Sequence, residues 1–202
     1  MNAGQVFAAM KLRTADIGPT SVSSSDVEVR RMVDALNSTG LELMRRAEWR
    51  GLMKVYTDTP GSGAEFTPLP QDFHRLQENN AVFLEPNRRA VKVITSSVLW
   101  DAAANSSATP IYNYCRIDNN RLYFWPLFDG VKEMTLRYIS DRWVADSTVI
   151  SANADEFNVP FDVLLKGAVY RWHRTKGFDY TDYLSEYEAA LQAELLVNRG
   201  SP

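Results

Sequence analysis

The spacing of hydrophobic residues changes twice along this sequence, and no other feature restricts its fold as strongly. Apolar residues recur every three or four positions over Val29–Gly51, which is the pattern of an amphipathic helix. After Lys54 they alternate with polar residues in short runs, as in strands, and helical spacing returns at Phe161. Short strands without helices between them form antiparallel sheets. The pattern predicts an α+β fold, with an antiparallel β-rich lobe inserted into an α-helical bundle made from the N- and C-terminal segments.

The expected domain boundaries follow from the same changes of spacing. Residues 1–54 and 158–202 are assigned to the helical bundle, and residues 55–157 to the inserted β-rich lobe. Ser25 followed by Glu28 has the spacing of a capping box, so a long helix is expected to begin there. A continuous helix from this point to the end of the apolar pattern is about 37 Å long.

This long helix carries apolar residues on two sides. One side is expected to pack within the bundle, through Val29, Val33, Leu36 and Leu43. The other side carries Leu41, Trp49 and Leu52. These three residues are expected to meet either the β lobe or a neighbouring subunit, and they form the candidate subunit interface.

A β-hairpin near the middle of the chain is the clearest local signal. Ile111, Cys115 and Ile117 alternate with aromatic and basic residues, and Asp118-Asn119-Asn120 precedes a second strand. Asn and Asp tolerate positive φ, so a tight turn is expected here. Cys115 faces the same side as the two isoleucines, so it is interpreted as a buried small hydrophobe rather than a nucleophile.

The last predicted helix has one complete apolar stripe and two apolar residues outside it. The stripe consists of Tyr183, Leu184, Tyr187, Leu191 and Leu195. Leu196 and Val197 lie off the stripe and lead into a polar, glycine-containing tail, Asn198–Pro202. An unmatched apolar pair beside a flexible end is typical of a segment that orders on a partner. A frayed helix end without a role is the alternative.

Charge and composition exclude several classes of protein. The 22 basic and 25 acidic side chains give a net charge of −3, which argues against sequence-independent DNA binding through phosphate neutralisation. The single cysteine excludes an internal disulfide and a thiolate zinc cluster, and it fits a reducing compartment. No apolar run approaches the roughly 20 residues of a membrane span. A soluble intracellular protein is expected.

The sequence contains no recognisable catalytic or metal-binding motif. Phosphate-binding glycine loops, the GxSxG nucleophile motif and the HExxH zinc motif are all absent. His74 and His173 have no partner at ligand spacing, and the acidic residues near Asp155 and Asp182 are explained by helix starts. The sequence therefore predicts that the protein is not an enzyme and has no catalytic residue, metal or cofactor.

Several segments taken in order resemble a known class of viral protein. These segments are ALNSTGLELMRRAEW, RGLMK, LPQDFHRL, RYISDRW, FNVPFDVLLKGAVYRWHRTKGFDY and YLSEYEAAL. Their order and character resemble the head–tail adaptor proteins of tailed bacteriophages, a connector family that includes the tail tubular A-like proteins. The resemblance covers about residues 25 to 195.

This resemblance implies a structural role in the virion. Such adaptors form rings, typically of twelve subunits, that dock on the portal at the capsid vertex and offer a platform to tail or neck proteins. The genomic DNA passes through the ring during ejection without specific binding, and the ring assembles in the host bacterial cytoplasm. Adaptors commonly reach the portal through their C-terminal segment, so Leu195, Leu196, Val197, Asn198 and Arg199 are the candidate portal-docking residues.

Two other functions remain open at this point. A tail-completion or baseplate protein would use the same β lobe for contacts with the tail. A virion-associated hydrolase is disfavoured because no catalytic constellation is present.

Overall fold

The chain forms two compact units, each with its own buried interior. The computed structural model describes residues 1–15, 18–78, 81–85, 89–106, 112–127 and 133–200, with the side chains of 199 and 200 outside the described part. The first unit, called the helical unit, comprises Met1–Leu52 and Asp141–Pro202. The second, called the β unit, comprises Met53–Ser140.

Five α-helices lie in the described residues. They are α1 (Ala3–Thr14), α2 (Val27–Arg46), α3 (Ser97–Ala104), α4 (Phe161–Lys176) and α5 (Thr181–Gly200). All but α3 belong to the helical unit. A short 3₁₀ turn, Arg50–Leu52, follows α2.

The ends of α2 differ from the expectation based on spacing. Its N-cap is Asp26 rather than Ser25, because the Asp26 carboxylate accepts hydrogen bonds from the backbone N–H groups of Glu28 and Val29. The helix ends at Arg46, and Ala47 is extended with φ −154° and ψ 170°. The chain then folds back, and Trp49 Nε1 donates to the carbonyl oxygen of Leu43 at 2.6 Å. The predicted continuous helix is thus interrupted before Trp49.

Helix α4 packs between α2 and α5, and one glycine permits this close approach. A β-carbon at Gly167 of α4 would come within 2.4 Å of Thr39 Cγ2 on α2 and 2.9 Å of Tyr187 Cε2 on α5. Only a residue without a β-carbon fits between these neighbours. At the C-terminus of α4, Gly177 adopts the left-handed conformation with φ 73°, which ends the helix in the way typical of glycine.

Residues 141–160 belong to the helical unit, although the sequence-based boundary assigned residues 141–157 to the β lobe. Trp143 is fully buried, and Asn37 Oδ1 on α2 accepts a hydrogen bond from Ile150 N at 2.9 Å. Asn153 Oδ1 accepts from Val22 N at 2.9 Å. These bonds join the segment to residues more than a hundred positions away. The spacing of hydrophobic residues within the segment therefore could not predict them.

The β unit contains two sheets built from nine short strands in the described residues. These are β1 (Met53–Asp58), β2 (Phe66–Pro68), β3 (Phe73–Leu76), β4 (Val82–Leu84), β5 (Arg89–Ala90), β6 (Lys92–Val93), β7 (Tyr114–Asp118), β8 (Arg121–Trp125) and β9 (Met134–Ser140). One sheet has the order β1-β9-β4-β5, with β3 also on β9, and the other has the order β2-β8-β7-β6. All pairs are antiparallel except β6 with β7. The α+β class with antiparallel-rich sheets is confirmed.

The β7–β8 hairpin forms around the predicted turn. Asn119 and Asn120 have φ of 47° and 58°, and Asp118 pairs with Arg121 across the two-residue loop. Cys115 is completely buried in a core to which both sheets contribute. Ile111, which the sequence placed on the first strand, lies outside the described residues.

Two elements of the β unit have no counterpart in the sequence-based prediction. Strand β3 is half-buried at every position, so it lacks the alternation that identifies a strand. Helix α3 begins after Ser96, whose hydroxyl accepts a hydrogen bond from Leu99 N. It buries none of its side chains, so no apolar stripe distinguishes it from the strands around it.

Candidate functional site

The C-terminal end of α5 presents exposed apolar side chains. Leu196 and Val197 are 72% and 64% exposed, whereas Leu191 one turn earlier is fully buried. Leu195 is half-buried. The helix continues through these residues to Gly200, so the expected flexible tail is helical as far as that residue. The apolar pair therefore sits on an ordered helix end.

An open pocket of about 350 Å³ lies beside this helix end. Its walls come from three separate stretches of the helical unit. The lining residues are Trp49, Arg50, Gly51, Phe157, Asn158, Val159, Pro160, Glu194, Val197 and Asn198. The pocket thus brings Val197 and Asn198, two of the candidate docking residues, next to Trp49 from the candidate subunit interface. We call it the C-terminal pocket.

Asn198 fixes the helix end against one wall of this pocket. Its side-chain Nδ2 donates a hydrogen bond of 2.9 Å to the carbonyl oxygen of Glu48. This bond ties the last turn of α5 to the extended stretch after α2, so the C-terminal pocket has a defined shape. Arg199 lies on the same helix, and its side chain is outside the described part of the structure.

The three candidate interface residues have different environments. Trp49 is 2% exposed and Leu52 is fully buried. Side chains without accessible surface have nothing to offer a second subunit, so the structure places these two in the interior of a single chain. Leu41 is half-buried and lines an open groove with Ser38, Glu42, Arg45 and Arg46. Of the three, Leu41 alone keeps surface for a neighbouring subunit.

The two histidines and the cysteine belong to three different elements. His74 is on β3, His173 is on α4, and Cys115 is in the core of the β unit. Burial raises the pKa of Cys115 to about 12, so its thiol stays protonated at neutral pH. In the described residues, no three His, Cys, Asp or Glu side chains are grouped as metal ligands.

Asp155 has a structural environment. Its carboxylate accepts hydrogen bonds from the backbone N–H groups of Ser151 and Ala152 at 2.7 and 2.9 Å. Burial alone would raise the pKa of Asp155, but these hydrogen bonds outweigh it and lower the pKa. The carboxylate organises the loop before α4.

None of the helices in the described part of the chain combines the length and the apolar character that crossing a membrane requires.

An ordered helix end with exposed apolar side chains beside an open pocket is a surface suited to binding another protein. The family model of the SU10 adaptor protein matches residues 1–201, and the chain belongs to this family. The predicted resemblance to phage head–tail adaptors is thereby confirmed. The protein is a structural component of a bacteriophage virion. No curated protein matches the sequence.

Sequence reasoning singled out Val197, Asn198 and Trp49 from two walls of the C-terminal pocket but did not bring them together, and it identified none of the third wall. Leu196 and Val197 were recognisable because they lie off the apolar stripe of α5. Arg50 and Phe157–Pro160 carry no local signal, since they reach the pocket only when segments distant in sequence come together. Only a structure reveals that the three stretches meet.

Proposed function

We propose that this adaptor forms a ring, typically of twelve subunits, that docks on the portal protein and joins it to the tail. The ring belongs to the neck of the virion and assembles in the host cytoplasm. Its C-terminal helix end, from Leu195 to Arg199, is the portal-docking element. The genomic DNA passes through the ring without specific binding.

The observation that carries this proposal is the exposed pair Leu196 and Val197 next to the C-terminal pocket. Burying a leucine or valine side chain stabilises a complex by about 1.5–3 kcal/mol. The pocket walls combine apolar residues such as Trp49 and Phe157 with the charged residues Arg50 and Glu194. An exposed apolar pair beside a pocket of mixed character gives a partner an apolar contact surrounded by polar groups, as in many interfaces.

The order of the helix end supports docking as well. A segment that is already helical loses little conformational freedom when it binds, so more of the contact energy appears as affinity. The hydrogen bond from Asn198 to Glu48 holds this end in place before any partner arrives. The docking element is accordingly a preformed surface rather than a strand or tail that folds on the portal.

The ring and its channel are supported by two further observations. Leu41 retains exposed apolar surface on α2, which a neighbouring subunit can cover. The net charge of −3 disfavours tight binding to DNA, and a channel for DNA has to let its cargo slide.

Portal binding can be tested with a double substitution, Leu196→Asp and Val197→Asp. Co-sedimentation of the purified variant with rings of the phage's own portal protein should fall at least about tenfold, because two charges replace two buried apolar groups. Leu12→Asp is the matched control, since Leu12 is 85% exposed on α1 of the same unit. Equal portal binding by the double variant and the wild type would overturn the proposed docking site. Absence of portal binding by the wild type itself would overturn the proposed function.

A further inference from the structure

Two open grooves rich in arginine adjoin at Ser38 of α2. One stretch of about 350 Å³ lies between α2 and α4, and a second of about 380 Å³ continues beyond Ser38, which lines both. Together they are lined by Arg31, Asp34, Ala35, Ser38, Leu41, Glu42, Arg45, Arg46, Arg171, Arg174 and Thr175. We call this surface the arginine groove. Five arginines face two carboxylates in a chain whose overall charge is negative.

Part of this positive charge is already compensated within the chain. Arg171 pairs with Glu42 and donates to Thr39 Oγ1 at 3.1 Å, and Arg46 also pairs with Glu42, at 2.7 Å. Arg45 and Arg174 make no ion pair within the part of the chain that the structure describes. These two guanidinium groups are therefore available to an outside partner.

The neighbourhood of Arg174 also favours an anionic partner. Burial lowers the pKa of Arg171, and the like charge of Arg174 lowers it further. Two guanidinium groups that disfavour each other in this way are stabilised by a carboxylate brought between them. Leu41 lies in the same groove, so a suitable partner covers an apolar side chain and supplies negative charge.

The chain itself carries a matching surface on α5. Asp182 and Glu186 are exposed in its first turns, and Ala189 and Ala193 follow on its exposed side. Small residues let another helix approach closely, and the two carboxylates complement the arginines. Phosphate groups of DNA would match the charge of the groove but would leave Leu41 without an apolar contact.

Within the described residues of one molecule, Arg45 and Arg174 form no ion pair with Asp182 or Glu186. Helix α4 packs between α2 and α5, and the Gly167 contacts with Thr39 and Tyr187 fix this order. Other charged residues do meet: Arg46 of α2 lies 3.8 Å from Glu188 of α5, and Arg13 of α1 lies 3.8 Å from Glu186. A contact between two unlike surfaces is heterologous, and copies joined by it form a ring when the rotation from one subunit to the next closes.

From this arrangement we infer that the arginine groove of one subunit receives the exposed side of α5, around Asp182 and Glu186, from the next copy of the same chain. The inference rests on the proposed ring and names its subunit interface. It also separates the two functions of α5, because the early turns contact a neighbouring subunit while Leu196 and Val197 remain available to the portal.

Charge reversal tests this pairing. Arg45→Glu with Arg174→Glu makes the groove acidic, and Asp182→Lys with Glu186→Lys makes the helix basic. Each double variant alone should lower the yield of rings on the portal at least about tenfold, because like charges then face each other at every interface. Arg30→Glu is the matched control, since Arg30 is exposed on α2 but does not line the groove.

Recovery of ring assembly by combining the opposite charge reversals is the decisive part of the experiment. Combining all four substitutions in one chain should restore ring assembly. An equimolar mixture of the two double variants should also restore it, because alternating subunits bring opposite charges together at every interface. Circular dichroism and the thermal midpoint of each variant establish that it is folded, and a folded variant with wild-type ring yield overturns the inference.

Two other results distinguish this inference from the proposed function. If both double variants form rings normally on the portal, the subunit interface lies elsewhere and the adaptor function stands. If the wild type forms no ring on the portal, the proposed function fails first. Salt-dependent binding of duplex DNA that is lost in Arg45→Glu/Arg174→Glu, with ring assembly unchanged, would assign the groove to DNA and overturn the inference.

Discussion

Gly40 of α2 lies directly beneath the indole ring of Trp143. A β-carbon at Gly40 would come within 2.3 Å of Trp143 Cε3. The ring has no room to move, because Trp143 is fully buried, stacks on Phe157 at 5.7 Å and donates from Nε1 to the carbonyl oxygen of Thr148 at 2.6 Å. This contact attaches residues 141–160 to the helical unit.

Gly40→Ala should therefore lower the free energy of unfolding by about 1–3 kcal/mol, the usual cost of forcing an atom into a packed core. Urea unfolding followed by tryptophan fluorescence measures the change. Gly61→Ala serves as the control, since nothing lies within 4 Å of a β-carbon at Gly61. Equal stability of both variants would contradict the contact between Gly40 and Trp143.

Trp49→Ala should destabilise the isolated chain. The indole is 2% exposed and its Nε1 bonds to the Leu43 carbonyl, so truncation leaves a cavity and an unsatisfied carbonyl group. A loss of about 3–5 kcal/mol is expected by analogy with other buried aromatic residues. The thermal midpoint of the unassembled protein measures it.

Ring assembly gives the second readout for Trp49. The yield of rings from the Trp49→Ala variant should fall only as far as its folded fraction falls. A variant that keeps the wild-type melting temperature yet forms no rings would return Trp49 to the subunit interface.

The stability of the helical unit should depend on the protonation of His173. The imidazole stacks on Tyr183 with ring centroids 4.0 Å apart, and both ring nitrogens are buried without a hydrogen-bond partner in the described structure. Burial lowers the pKa of His173 from 6.5, so the unfolded chain takes up a proton at a higher pH than the folded one. The stabilising contribution is complete above pH 6.5 and is lost as the pH falls below that value.

His173→Phe keeps an aromatic ring at this position and removes the titration. Between pH 7 and pH 5, the melting temperature of the wild type should fall by more than that of the variant. Parallel curves for the two proteins over this interval would show that His173 does not titrate with folding.

Cys115 should be inert towards thiol reagents in the native protein. It is completely buried, and its pKa of about 12 leaves almost no thiolate at pH 8. A disulfide reagent should titrate one thiol per chain in denaturant and close to none without it. Rapid labelling of the folded protein would contradict the burial of this residue.

Features determined by neighbouring residues were predictable from the sequence, and features determined by distant ones were not. The turn at Asn119 and Asn120 and the end of α4 at Gly177 depend on local backbone preferences, so residue type alone identifies them. The end of α2 depends on Trp49 folding back onto Leu43, which requires tertiary contacts. Helical spacing beyond Arg46 was therefore misleading.

The residues of the candidate site also include some that the sequence reveals and some that only the fold brings together. The apolar pair Leu196 and Val197 was evident because a helix face can be read from spacing. The arginine groove was not, because Arg174 joins Arg31 and Arg45 only after α4 packs on α2. The burial of Trp49 and Leu52 was not evident from spacing, because an apolar residue off the main stripe can be covered by a chain that turns back on itself.

The order in which a ribosome releases this chain has a consequence for quality control. Helix α2 emerges early, but its partner α4 comes late, and the hydrogen bond from Arg171 to Thr39 joins residues 132 positions apart. The helical unit can close only after α4 has been synthesised, while Met53–Ser140 is available to fold earlier. A prematurely terminated product lacks α4 and α5 and leaves the apolar side of α2 uncovered. Chains with exposed apolar surface are generally handled by chaperones and proteases. We therefore expect incomplete chains to be removed rather than assembled.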